Sequence, residues 1–130
     1  GPYDNRNKLF CQLRNSINNK TTIKMTPGKQ KVDIVYIDDV VEAYLIASKR
    51  LISKESKQME QFSISSGQHI ALKTLIGKYY KIKNVEENII WGGKNYRPRE
   101  EMIPFTNGKI LPKWKPKISI EDGIRKMEGL

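Results

Sequence analysis

Apolar residues recur at helical spacing from the start of the chain. Leu9, Phe10, Leu13 and Ile17 share one face, which predicts a helix over residues 5–19. Residues 21–25 predict a short strand, stopped by Pro27-Gly28. Residues 32–37 are apolar on both faces, the pattern of a strand covered on both sides. Asp39 then opens the strongest helical pattern. Its carboxylate is placed to accept first-turn N–H groups, and Glu42 follows three residues on, as in a capping box. Val40, Val41, Tyr44, Leu45, Leu51 and Ile52 form the apolar stripe of this helix. Lys49, Arg50 and Lys54 lie toward its C-terminus, where the helix dipole favours cations.

Further along, residues 61–65 predict a strand and Ser66-Gly67 its turn. Leu72, Leu75, Ile76, Tyr79 and Ile82 mark a third helix. Residues 88–91 predict a strand, and 92–99 a loop carrying Lys94, Arg97 and Arg99. A helical turn is expected over 107–111 and an extended stretch over 114–116. Ser119 is placed to cap a last helix, with Asp122 at its third position and Ile120, Ile124 and Met127 turned inward. Helices alternating with strands imply an α/β arrangement. Several strands are too apolar to be sheet edges in water, so something should cover or pair them.

A chain of 130 residues is one domain at most, or a piece of one. Its 38% hydrophobic content is too high for a disordered tail. No apolar run approaches the roughly 20 residues of a membrane helix. The chain opens Gly1-Pro2 with no methionine and no secretory pattern. The pair is read either as a cloning scar or as the mark of a chain cut from something longer. One cysteine, Cys11, excludes an internal disulfide, and a cytoplasmic location fits. Lys and Arg total 24 against 14 Asp and Glu, a formal charge of +10. That excess attracts phosphate ligands and polyanions alike, although the basic residues are scattered rather than run together.

The common catalytic patterns are missing. Gly28, Gly67 and Gly92-Gly93 are too isolated for a dinucleotide cradle, and no Gly-Lys-Ser/Thr sequence occurs. A single cysteine and a single histidine leave no zinc site of the usual Cys/His kind. His69 reads as an exposed turn residue before it reads as a catalytic base, and Cys11 as a half-buried thiol. Asp38-Asp39 sits between a strand and a helix, which favours capping over paired-carboxylate catalysis.

Several segments together resemble one family. Gly1-Pro2-Tyr3-Asp4 with Lys8-Leu9-Phe10 is similar to the stretch after an active-site strand. The run from Gly28-Lys29-Gln30-Lys31-Val32-Asp33 to Tyr36-Ile37-Asp38-Asp39-Val40 is close to a glycine-x-glutamine-x-arginine-aspartate-phenylalanine-x-tyrosine-valine-aspartate-aspartate-valine pattern. Phe62-Ser63-Ile64-Ser65-Ser66-Gly67 resembles a strand and turn returning to a dinucleotide-binding sheet. Trp114-Lys115-Pro116 and Ser119-Ile120-Glu121-Asp122-Gly123 resemble a closing tryptophan-x-proline and serine-x-glutamate-glutamate-glycine pattern. In order and spacing, these match the C-terminal half of extended short-chain dehydrogenase/reductase enzymes. These form the NAD-dependent epimerase/dehydratase family acting on nucleotide sugars.

The resemblance implies an α/β fold over residues 1–130: the substrate-binding part of such an enzyme, with a strand and helices that normally join a Rossmann sheet. It implies that the NAD- or NADP-binding Rossmann portion, with the catalytic tyrosine and lysine, lies outside this chain. The fragment alone would then bind no cofactor and turn over no substrate. In family terms Lys8 and Leu9 start the helix beside the nucleotide sugar, the strand from Ile23 to Met25 passes the base, and Arg97 holds the diphosphate. A guanidinium suits that task because it can bind phosphate oxygens bidentately. Implied partners are a nucleotide-diphosphate sugar, the N-terminal Rossmann portion and a second copy in a homodimer, with no membrane. Two departures stand out. The family's arginine before the aspartate is replaced by Val32, with Lys31 one place earlier, and Ala71 stands where a serine or threonine often caps a helix.

Two other readings compete. The charge and the exposed-looking Tyr79, Tyr80 and Tyr96 suggest a nucleic-acid-binding module, although no recognition motif appears. A free-standing interaction domain would leave the strand over 61–65 without its sheet partner.

Overall fold

A computed structural model describes residues 1–3, 7–53, 55 and 59–130. Asp4 and Lys54, named above, and residues 5–6 at the start expected for the first helix lie outside these. The elements are α1 (Leu9–Asn19), β1 (Ile23–Met25), β2 (Lys31–Asp33), α2 (Ile37–Ile52), β3 (His69–Ala71), α3 (Leu72–Lys83), β4 (Ile89–Trp91) and α4 (Ile120–Glu128). The predicted helices are all present. α4 starts as expected: the Ser119 hydroxyl accepts the Asp122 N–H at 3.1 Å, satisfying an orphan donor of the first turn. α3 begins at Ala71 without a side-chain cap. It closes on Asn84 in the left-handed conformation, which asparagine tolerates better than most residues.

The strands form two small sheets. β1 runs parallel to β4, with Ile23 opposite Ile89 and Met25 opposite Trp91. β2 runs antiparallel to β3, with Lys31 opposite Ala71 and Asp33 opposite His69. α1, α3 and α4 enclose a core of Leu13, Leu75, Ile76, Tyr79, Tyr80 and Ile124, against which Leu9, Ile23 and Met25 also pack. Glu128 ties these helices at the rim: its side chain lies 2.7 Å from Arg14 Nη2 and 3.1 Å from Lys83 Nζ. A second core gathers Ala43, Leu111 and Trp114, with Val35, Ile46, Ala47, Phe62 and Ile64 packed on it.

Several expectations need correction. The strand expected over 32–37 stops at Asp33, because Tyr36 already serves as the N-cap of α2. Asp39 does not cap its own helix. It is buried in the first turn of α2, and its carboxylate accepts the N–H groups of Lys117 (3.1 Å) and Ile118 (2.9 Å). Its carbonyl accepts the Trp114 indole N–H at 2.9 Å. Asp39 thus binds the 114–118 stretch to α2, and Glu42 pairs with Lys117 instead of closing a capping box. Residues 61–65 form no strand; Ser63 makes one bridge with Ile110. That bridge occupies the stretch where a helical turn was expected over 107–111.

The stripe of α2 faces outward rather than into a core. Val41, Tyr44, Leu45, Leu51 and Ile52 are exposed, Ile52 by 81%. Tyr79 and Tyr80, exposed on the nucleic-acid reading alone, are 0% and 3% exposed, as the apolar face of α3 requires of Tyr79, so neither offers a ring for a base to stack on.

Candidate functional site

One groove gathers polar and cationic side chains from four parts of the chain. Lys24, Met25 and Thr26 come from β1 and its exit, Gln12 from α1 and Leu72 from the start of α3, with Gln30 between them. Lys94, Asn95, Arg97 and Glu100 come from the loop after β4. The groove is open and holds about 320 Å³. β1 serves as a wall because of its alternation: Lys24 faces solvent, while Ile23 and Met25 turn toward the core.

The Arg97 loop is fastened along its length to the β1–β2 connection. Lys94 N–H donates to Met25 O at 3.1 Å and Lys31 N–H to Met102 O at 2.9 Å. Between them the Tyr96 hydroxyl accepts the Lys29 N–H at 2.9 Å. Within the loop, Glu100 N–H donates to Arg97 O, and a Glu100 carboxylate oxygen accepts the Arg97 N–H at 3.4 Å. The connection itself turns at Gly28, whose φ of +71° favours glycine. A Cβ there would stand 2.5 Å from the Trp91 ring. Lys73 Nζ sits 5.3 Å from the centre of that ring.

Of the residues singled out from the sequence, Met25 and Arg97 meet in this groove. Lys8 is the exposed N-cap residue of α1, and Leu9 and Ile23 pack on the first core behind the groove. Sequence reasoning missed Gln12, Lys24, Thr26 and Gln30 as site residues, and had Lys94 and Glu100 only as neighbours of Arg97. Lys24 was legible only as a member of a scattered basic excess, and Lys94 as a loop cation near Arg97. Gln30 is buried, with its amide 3.2 Å from the Thr26 hydroxyl, a contact that no local pattern announces. Chemically, Lys24, Lys94 and Arg97 suit an anionic ligand, with Glu100 as the opposing carboxylate. At exposed positions each charge contact is worth about 1 kcal/mol, and more once a ligand displaces water.

A second cluster surrounds Asp33. Burial pushes its carboxyl up, but the Ser65 and Ser66 hydroxyls and the Ser66 N–H all donate to it and hold it below the usual range. His69 lies in β3 rather than in an exposed turn, with Nε2 3.8 Å from Asp33. The serines donate to the carboxylate and not to the imidazole, so neither is arranged as a nucleophile with a base. The cluster ties β2 to the 65–69 turn. Among the described residues, no group of three or more His, Cys, Asp or Glu side chains could hold a metal ion. No helix among them is long and apolar enough to cross a membrane.

Comparison with known proteins agrees with the resemblance read from the motifs. No protein-family model matches the chain. It is 33% identical over 106 residues to the CDP-abequose synthase of Yersinia pseudotuberculosis, covering 80% of this chain and 35% of that one. To the CDP-abequose synthase of Salmonella muenchen it is 30% identical over 129 residues, covering 98% and 43%. The chain thus spans about two fifths of the length of these curated relatives. In fold it is similar to a UDP-glucose-4-epimerase from Stenotrophomonas maltophila with bound NAD and formylated UDP-arabinopyranose. The TM-score is 0.78 at 14% identity, covering 98% of this chain and 40% of that one. The chain resembles the C-terminal portion of the extended short-chain dehydrogenase/reductase enzymes of the NAD-dependent epimerase/dehydratase family, and carries their mixed α/β fold over the matched region.

Proposed function

We propose that this partial nucleotide-sugar epimerase/dehydratase is the substrate-binding portion of an NAD- or NADP-dependent enzyme, and that its groove holds a nucleoside diphosphate sugar. Arg97 binds the diphosphate, with Lys24 and Lys94 adding positive charge. The base lies along β1 beside Met25, which Leu9 and Ile23 support from the core, and Lys8 opens the helix at this end. Residues 1–130 then act as one unit that supplies binding energy and sugar orientation.

Proton and hydride transfer belong to a Rossmann portion outside this chain, in a cytoplasmic enzyme that pairs as a homodimer. NAD or NADP would supply the hydride acceptor when bound there. This chain has no glycine-rich turn to cradle it, so no step through it is assigned to these residues. The outward stripe of α2 and the singly bridged 61–65 stretch are the surfaces on which that portion would pack.

The observation that carries the reading is the meeting of Arg97 with Met25, Lys24 and Lys94 in one groove, on a chain similar to nucleotide-sugar enzymes. The test is calorimetric titration with CDP and UDP, each against its nucleoside. The diphosphates should bind and the nucleosides should not. Arg97→Gln should weaken the better diphosphate at least tenfold, the loss of a charge-assisted hydrogen-bond pair. Equal binding by wild type and R97Q would overturn the assignment.

A further inference from the structure

Arg97 is exposed and sits on a loop, yet a phosphate-binding guanidinium must be held in place to bind strongly. The loop's backbone is tied at Lys94 and Met102, on either side of Arg97. Neither tie lies next to it. Arg97's own backbone bonds go only to Glu100 within the loop, so the nearest fastening to the rest of the chain is a side chain. The Tyr96 hydroxyl, one residue before Arg97, accepts the Lys29 N–H at 2.9 Å. That N–H belongs to the turn just past Gly28, where an added Cβ would meet the Trp91 ring and whose carbonyl accepts the Lys73 N–H at 3.0 Å. Tyr96 therefore joins a surface loop to the β1–β2 connection beside its Gly28 turn.

We infer that Tyr96 is a positioning residue for Arg97: its bond to the Lys29 N–H sets the loop so that the guanidinium faces the β1 wall of the groove. Tyr96 does not line the groove. It acts through the backbone, by removing loop conformations in which Arg97 points away. An anionic ligand then finds the cation already in place and does not have to order it. The inference rests on the proposed role of Arg97 and deepens it.

The test is a double-mutant cycle on CDP binding with Tyr96→Phe and Arg97→Gln, each variant also melted without ligand. Y96F removes only the acceptor oxygen. It should weaken CDP about fivefold in the Arg97 background, the worth of one neutral hydrogen bond. It should have no further effect in the R97Q background, because the cation it positions is gone. The salt dependence of CDP binding should be kept in Y96F, since no charge is removed, and should fall in R97Q.

If R97Q binds CDP as well as wild type does, the groove assignment fails first and this inference with it. If R97Q binds weakly but Y96F binds normally, the positioning role alone is refuted. It is also refuted if the Y96F loss persists in the R97Q background, which would mean that Tyr96 meets the ligand itself. A fall of more than about ten degrees in the melting temperature of Y96F, beyond what one hydrogen bond supplies, would assign the bond to general stability and overturn the inference.

Discussion

Glu128 offers a sharp test of how the groove-bearing half is held together. Its side chain is 3% exposed, yet it carries a charge held by Arg14 from α1 and Lys83 from α3. Arg14 approaches through two nitrogens, with Nε 3.2 Å from one oxygen and Nη2 2.7 Å from the same oxygen. Glu128→Gln keeps the shape and removes the charge. Breaking a buried ion pair costs about 3–5 kcal/mol when the orphaned partner stays buried. Here the partners are 36% and 24% exposed and can recover much of their hydration. The expected loss is therefore about 2 kcal/mol, measured by urea denaturation near neutral pH. The pH dependence follows in sign. Burial pushes the Glu128 carboxyl up from its ordinary value of 4.5, but Arg14 and Lys83 outweigh it and hold it below that value. The stabilisation is thus fully present above about pH 4.5 and is lost as pH falls through the lower, folded-state value. Wild type and E128Q should differ at pH 7 and converge in acid. A difference under about 0.5 kcal/mol at pH 7, within the range of ordinary surface substitutions, would refute the reasoning. So would a gap that stays constant into acid.

Two further outcomes follow from the packing. Gly28→Ala should cost about 2–4 kcal/mol in denaturation experiments, because φ is +71° and the added methyl would press on the Trp91 ring 2.5 Å away. Tryptophan emission should shift with it. In hydrogen exchange, the amides of α3, which bury Leu75, Ile76, Tyr79 and Tyr80, should outlast those of α2, which buries Asp39 and Ala43. Equal protection would contradict the separation into a well-covered and a poorly covered core.

What the sequence made legible was what depends on neighbours in the chain. The capping of the Asp122 N–H by Ser119 and the faces of α1 and α3 are set within one or two turns, and each was found where expected. Pairings across the chain were not legible. β1 meets β4 across more than sixty intervening residues, and nothing in either three-residue strand names the other. Asp39 shows how a local rule can be overridden. It has the residue type of a cap, yet its carboxylate binds Lys117 and Ile118, because burying Trp114 against α2 leaves those N–H groups in need of an acceptor. In the groove, Arg97 could be marked by resemblance, while Gln30 and Lys24 join it only through the folding of the β1–β2 connection.

α2 draws these lines together. Its periodicity correctly said that one face is apolar; periodicity cannot say what covers that face. A helix with Tyr44 70% and Ile52 81% exposed gains little from its own stripe in this chain. Its attachment rests instead on Ala43, on the Asp39 contacts with 114–118 and on the ion pair from Arg50 to Glu60. The first core has no such deficit: its three helices are closed over by buried residues and clamped by Glu128. The groove is built on that first core, through β1, α1 and α3, and not on α2. Binding of a nucleoside diphosphate is therefore separable from whatever covers α2, so substitutions on the outward stripe should leave the groove's affinity intact.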